Sequence, residues 1–221
     1  MMKKKLIVFG VGSLAKMMDF YFSRDSDYEV VAFTVDAEYN TKSKFLDKEV
    51  IDFENIVSDY PPQKFEMFIA IGPSKMNTIR ERKYREAKEK GYQLANYISP
   101  NAICDSHVGE NTIIADYAII HPFVKIGINN IFWEQCLIGN DSVVGNHCWI
   151  SPKVVVSTFA EICDNSVLGT GALIKTRVTI ARKSLIGASS YISVNTLENG
   201  VYGEKSTPYY ASISEKVNIS L

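Results

Sequence analysis

The residues best suited to chemistry gather at three turns. Gly10-Val11-Gly12-Ser13-Leu14-Ala15 follows the apolar run Leu6 to Phe9. A strand, a glycine turn and a helix start present free backbone N–H groups and the positive end of a helix dipole, which suits a phosphate. Asp36 closes a second apolar run, where a carboxylate can accept hydrogen bonds from a ribose or a base. Gly72-Pro73-Ser74-Lys75-Met76-Asn77 follows a third run. Lys75, in that turn, and Arg80, just beyond it, carry charges that can reach phosphate, although Arg80 equally suits a solvated helix face. Gly10, Gly12, Ser13, Asp36, Gly72 and Lys75 are the candidate nucleotide-binding residues. The same glycine turn also serves as a plain strand-to-helix connection. A nicotinamide cofactor is not expected, because only one mononucleotide-binding half is present and no domain for hydride transfer follows it. Cys104, Cys136, Cys148 and Cys163 form no C-x-x-C pair, and His147-Cys148 lacks zinc spacing. They read as small buried thiols in a reducing compartment, and no metal is expected.

The elements that must hold these turns alternate through residues 1–100. The patterning predicts strands over 5–9, 28–35, 67–71 and 93–98, with a weaker candidate at 50–51. It predicts helices over 13–22, 53–60 and 74–90. Such alternation argues for a parallel sheet covered by helices, whose carboxyl edge brings the three turns together. The chain has 221 residues, 46% of them apolar, which is enough for a real core and excludes general disorder. Its 24 Lys+Arg and 25 Asp+Glu leave a net charge of −1, so nucleic-acid binding by phosphate neutralisation is not expected. No apolar run approaches a membrane span, and the run after Lys3-Lys4-Lys5 is too short for a signal-peptide core. A cytoplasmic location is expected.

From residue 102 the texture changes. Steps of six from Val108 to Ile192 meet fifteen large apolar residues, fourteen of them Ile, Val or Leu. Four residues beyond each, the side chain is small or β-branched except at Asn130. Gly109, Gly127, Gly139, Gly145, Gly169 and Gly187 directly follow the apolar position. A period of six fits neither an α-helix nor a hairpin array. It fits a parallel β-helix of triangular section, with the apolar residue pointing inward and glycine easing the corner. Three hexapeptides per coil give five coils, a prism roughly 24 Å long. The apolar stripe is core, so chemistry must lie outside it.

These features resemble the hexapeptide-repeat acyltransferases. The repeat is joined by Phe9-Gly10-Val11-Gly12-Ser13, Ile71 to Asn77 with Arg80, Gly91-Tyr92, Tyr97-Ile98-Ser99-Pro100 and Pro122 to Gly127. Within that superfamily the order of the two textures is similar to the bacterial sugar acyltransferases, related to sialic-acid O-acetyltransferases and UDP-amino-sugar N-acetyltransferases. The resemblance covers essentially the whole chain. It implies a Rossmann-like α/β domain over 1–100 that holds a nucleotide sugar, then a left-handed parallel β-helix over 101–221 with a C-terminal cap. The left hand comes from the resemblance alone, since the general crossover rule favours the opposite hand. It also implies a homotrimer, with acetyl-CoA or another acyl-CoA in the groove between neighbouring prisms. The implied activity is acyl transfer to a nucleotide-linked amino sugar for surface glycan synthesis.

The implied catalytic position is where the chain departs from such enzymes. They usually carry histidine at one or both of the positions held here by Asn140 and Asp141. Asn140 cannot accept a proton, and an aspartate near its reference pKa of about 4 is a weak base at neutral pH. Three readings stay open. In the first, an amine attacks the thioester, Asn140 orients it and Asp141 takes the proton. In the second, His121 or His147 is the base, with His147 expected at an exposed corner. In the third, the protein binds without catalysing. Transfer to a sugar hydroxyl, which leans harder on a base, is the enzymatic alternative. For the acyl-CoA the resemblance implies the backbone N–H groups of Lys153, Gly171 and Ala172 at the thioester and pantetheine. Lys175 and Lys183, with Arg177 and Arg182, form a basic cluster for the CoA phosphates, and 195–208 is expected to cap the adenine end.

Overall fold

The computed structural model describes residues 3–203. It opens on β1 (Lys4–Phe9), whose last four residues are buried. Then come α1 (Ser13–Asp25), β2 (Tyr28–Val35), β3 (Lys44–Phe45), β4 (Lys48–Asp52), the single turn α2 (Ile56–Asp59), β5 (Glu66–Ile69) and α3 (Thr78–Glu89). The sheet order is β3-β4-β2-β1-β5. All pairings are parallel except the β3–β4 hairpin. Phe9 lies level with Thr34 and Ile69, so the carboxyl ends of β1, β2 and β5 share one edge.

Several expected boundaries move for local reasons. The helix expected over 74–90 starts only at Thr78, because Lys75, Met76 and Asn77 take φ of 51°, 52° and 61°. The helix expected over 53–60 shrinks to one turn. Phe53 instead closes on Val35 O through its backbone N–H and packs edge-on against Phe9. The strand expected over 93–98 divides: Leu94 makes one bridge to Met67, whereas Tyr97–Ile98 pairs with Ile113–Ile114. The β3–β4 hairpin was not expected; Leu46 and Asp47 turn it at φ 49° and 61° without the usual glycine or asparagine.

The C-terminal half winds into three parallel sheets of two-residue strands, the arrangement typical of a left-handed β-helix. Between Ile113 and Ile192 the paired strands lie eighteen residues apart, as in Ile131↔Trp149 and Leu137↔Val155. All fifteen apolar positions are 9% exposed or less. Asn130, the exception in the small-residue row, is fully buried. It uses its amide in the ladder, donating to Gly145 O and accepting from Cys148 N. Tyr97–Ile98 and Val201–Tyr202 extend one sheet to seven strands, beyond the five coils expected.

The glycines do not act as expected. A Cβ at Gly139 would lie 2.7 Å from Thr158 N, and one at Gly169 would lie 2.6 Å from Ala188 N. These glycines permit close approach of successive coils, and neither has a positive φ. The left-handed residue comes two positions later. It recurs every sixth residue from Asn111 to Ser189, with φ between 55° and 69°, whatever the side chain. The coil therefore has three corner columns: Asn111-Asn129-His147-Asn165-Lys183, Tyr117-Gln135-Lys153-Gly171-Ser189 and Phe123-Asp141-Phe159-Arg177.

Outward-facing Ile113, Ala115, Ile131 and Trp133 are buried against Phe22, Tyr97 and Phe68 of the N-terminal half. Ring stacking of Tyr21 on Tyr97, 5.2 Å between centroids, continues that seam.

Candidate nucleotide cleft and prism corners

At the carboxyl edge of the sheet lies a cleft of about 740 Å³, within the roughly 300–1,000 Å³ of small-molecule sites. Phe9, Val35, Ile71 and Ile79 give it apolar walls; Asp36, Glu38, Tyr39, Lys75, Thr78, Arg82 and Lys83 supply its polar groups. Of the sequence candidates, Asp36 and Lys75 line it. Gly10, Gly12, Ser13 and Gly72 adjoin it along the chain without lining it. Gly10 has a structural reason to be glycine: φ is 123°, and a Cβ would stand 2.9 Å from Ala70 O. Gly12 and Gly72 have none, since a Cβ at either meets nothing within 4 Å. Gly12 is the N-cap of α1 and offers no capping side chain, so the first-turn N–H groups face outward uncapped.

Asp36 is only half available. Its Oδ1 accepts from Lys83 Nζ at 2.6 Å, and Glu86 Oε2 takes the same ammonium at 2.5 Å. Burial pulls the Lys83 ammonium towards neutrality, but its hydrogen bonds to these two carboxylates outweigh that and its pKa is raised. The cleft thus holds Lys83 ion-paired between two carboxylates, with Lys75 beside it and Arg82 paired to Glu86 at 3.5 Å. Sequence reading missed Lys83 and Arg82, because it left open which face of α3 turns toward the sheet edge, and Tyr39, which the turn after β2 brings to the cleft.

Arg80 belongs to neither reading made from sequence. It is fully buried. Its guanidinium donates to Asn129 Oδ1, Asn77 Oδ1 and the carbonyls of Ile71, Asn129, His147 and Cys148. Burial pushes its pKa down to about 9, which leaves it protonated at neutral pH. It pins α3 to the first prism corner. Around it runs a buried polar ladder. Asn111 accepts from Ile69 N at 2.8 Å and donates to Asn129 Oδ1 at 2.7 Å; Asn129 bonds His147 Nδ1 at 2.7 Å; Asn165 donates to Glu81 Oε2 at 2.9 Å.

His147 therefore is not the exposed corner residue expected. It is 6% exposed because α3 covers its column. Burial holds its pKa well below the ordinary 6.5, against the opposing pull of Glu81 and with the support of Arg80. The unfolded chain takes up a proton near pH 6.5 that the folded chain refuses. Stability contributed here is complete above that pH and falls as the pH drops below it, by at most about 1.4 kcal/mol per pH unit. His147→Asn, which suits the left-handed backbone, should flatten the acid side of the stability profile between pH 6.5 and 5, measured by urea midpoints.

The remaining candidates spread over the prism. Asn140 and Asp141 lie at one corner, where Asn140 Nδ2 donates to Asp141 Oδ2 at 2.6 Å and Asp141 is exposed. Lys153 and Gly171 lie at another. Their backbone N–H groups are already committed, Lys153 N to Glu134 O at 3.1 Å and Gly171 N to Pro152 O at 3.0 Å; Ala172 N donates to Gly169 O at 3.1 Å. The expectation that these three N–H groups meet an acyl-CoA is corrected: bonds between coils take up those of Lys153 and Gly171 and a local turn takes up that of Ala172, leaving the open surface of Gly171 and the exposed Lys153 side chain. The basic cluster also divides. Arg177 stands in the Asp141 column with Lys175 beside it, Lys183 belongs to the corner beneath α3, and Arg182 faces Glu198 at 3.9 Å. The cap expected over 195–208 is described only to Gly203; there Thr196 Oγ1 accepts from Ala181 N and Tyr202 Oη accepts from Leu197 N. Its last five residues lie outside the described part. Cys136 and Cys148 are buried, and burial pushes both thiols up to about 12; Cys104 and Cys163 are half-buried and also raised by burial.

Residues 141–176 match the family model for the bacterial transferase hexapeptide, over six repeats. The prism is a hexapeptide-repeat β-helix. Two curated relatives are bifunctional GlmU proteins, from Syntrophomonas wolfei (26% identical over 56% of this chain) and Clostridium beijerinckii (30% identical over 43%). The matched stretch spans only 27% and 20% of those proteins. Solved structures of the same fold match nearly end to end. The acetyltransferase domain of PglB from Neisseria gonorrhoeae superposes with a TM-score of 0.76 at 21% identity, over 91% of this chain and 97% of that one. A histidine-to-asparagine variant of perosamine N-acetyltransferase from Caulobacter crescentus, in complex with CoA and GDP-perosamine, gives 0.75 at 20%, over 90% and 93%. WeeI from Acinetobacter baumannii gives 0.76 at 18%, over 90% and 96%. The likeness establishes the two-part fold. Among the described residues no helix is long and apolar enough to cross a membrane.

Proposed function

We propose that the protein transfers an acyl group, acetyl in the simplest case, from acyl-CoA to the amine of a nucleotide-linked sugar. The observation that carries this reading is the cleft lined by Asp36, Lys75, Arg82 and Lys83 on the same chain as a hexapeptide-repeat prism. A nucleotide diphosphate fits those charges, with Gly12, Ser13 and Gly72 admitting its backbone-bound phosphates and Gly10 holding the turn. The perosamine N-acetyltransferase complex, with CoA and GDP-perosamine together on this fold, supports the same pairing of substrates.

Asn140 and Asp141 form the acceptor end. As the amine attacks, positive charge builds on nitrogen; the Asp141 carboxylate, oriented by Asn140, stabilises it. The exposed Lys153 side chain and the open surface of Gly171 present the acyl-CoA surface, with Lys175 toward its phosphates. One prism places Asp141 and Lys153 on different corners, so a complete site takes two prisms. An outward row of Ile103, Ile119, Leu137, Val155, Leu173 and Tyr191 makes one face apolar along its length. We infer a homotrimer closed on that face, and a monomer mass by light scattering at micromolar concentration counts against the arrangement.

The direct test is CoA-thiol release from acetyl-CoA with a panel of nucleotide amino sugars and their hydroxyl counterparts. Amine-dependent release is expected. Release with hydroxyl acceptors alone turns the reading to O-acylation, and binding of a nucleotide sugar without any release turns it to a silent binder. Asp36→Ala should raise the acceptor KM about tenfold, the worth of one charged hydrogen bond, and leave the acyl-CoA KM unchanged. Equal losses for both substrates would mean misfolding.

A further inference from the structure

Three histidines are present, and the fold disposes of two as catalysts. His147 is enclosed beneath α3 and bonded to Asn129. His107 sits in an exposed turn before the first complete coil. His121 differs. It is partly exposed, and among the described residues its hydrogen bond is the backbone one, N–H to Ile138 O at 2.9 Å.

That bond fixes its place. Ile119 pairs with Leu137 and Ile120 with Ile138, so His121 lies one coil below Gly139. The corner His121-Pro122-Phe123 is thus directly beneath Gly139-Asn140-Asp141. Gly139 admits no side chain, since a Cβ would meet Thr158 N at 2.7 Å and Ser157 C at 2.9 Å. The side-chain row along this edge therefore runs His121, a gap, Ser157 and Lys175. Coils stack at about 4.8 Å, a step the length of an imidazole side chain spans. Asp141, for its part, already accepts from Asn140. Imidazole is the side chain whose ordinary range suits proton transfer near neutral pH.

We propose that His121 is the general base of the transfer, acting on an amine held above it by Asn140 and Asp141. The proposal rests on the acyl-transfer reading. The amine lone pair forms the new C–N bond at the thioester carbonyl, and the C–S bond breaks. The N–H proton passes to the free nitrogen of His121 and on to the departing CoA thiolate, leaving amide and CoA thiol.

The experiment is steady-state kinetics of the full chain, with acetyl-CoA and the best nucleotide amino sugar, on His121→Ala, His121→Asn and the control His107→Ala. Both His121 variants should keep the wild-type melting temperature and acceptor KM. They should lose 10²–10⁴-fold in kcat, the usual contribution of a general base. The acid limb of the kcat profile should disappear with them, and free imidazole should restore part of the His121→Ala rate. His107→Ala should behave as wild type. A His121→Ala enzyme that keeps more than a tenth of kcat, or keeps the acid limb, overturns the proposal alone. A wild-type protein that binds acceptors yet releases no CoA overturns the acyl-transfer reading and this proposal with it.

Discussion

Arg80→Ala should be the most damaging single substitution in the N-terminal half, lowering stability by about 3–5 kcal/mol. The number follows from what the guanidinium leaves behind. Six oxygens accept from it, in a place with no solvent. Each buried acceptor stranded without a donor costs about 1–3 kcal/mol, and only some can find new partners. Arg80→Met keeps much of the volume and should be nearly as harmful, which separates lost hydrogen bonds from lost packing. Arg80→Lys keeps the charge but not the planar fork, and should fall between. Urea midpoints give the loss. Hydrogen exchange at the Asn129 and Asn165 amides should show the junction between α3 and the prism opening before the coils do. A loss below about 1 kcal/mol, the net worth of one ordinary hydrogen bond, would mean that water replaces the guanidinium and that α3 is not pinned there.

Asp141→Asn is expected to lower kcat by about 10²–10³, the range for removing one preorganised group that meets developing charge. The acyl-CoA KM should barely change, because the interaction is strongest in the transition state. Asn140→Ala should cost roughly tenfold, since it frees the carboxylate to rotate without removing it. The acid limb should survive in Asp141→Asn, because the proton goes to His121. A kcat unchanged in Asp141→Asn would remove this corner from the acceptor site.

The hexapeptide prism was legible from residue types alone. A period of six puts Val108, Ile114 and their successors inside the coil regardless of what packs outside it. The carboxyl edge was legible for the same kind of reason: Phe9, Val35 and Ile71 end apolar runs, and a parallel sheet aligns such ends. Corner conformation was not. Tyr117, Phe123, Lys153 and Arg177 adopt left-handed backbone that their side chains do not favour, imposed by coil closure rather than by local preference. An eighteen-residue sorting of the same sequence separates Lys175 from Lys183 and marks Ile113, Ile131 and Trp149 as one outward apolar row, a signal present but unread. Arg80 and His147 could be placed only by the tertiary structure. As residue types both belong to solvent, and each is buried because α3 and the prism corner meet and bring it partners from distant parts of the chain. Hydrophobic periodicity is a property of a segment, whereas satisfaction of a buried polar group depends on which acceptors another segment delivers.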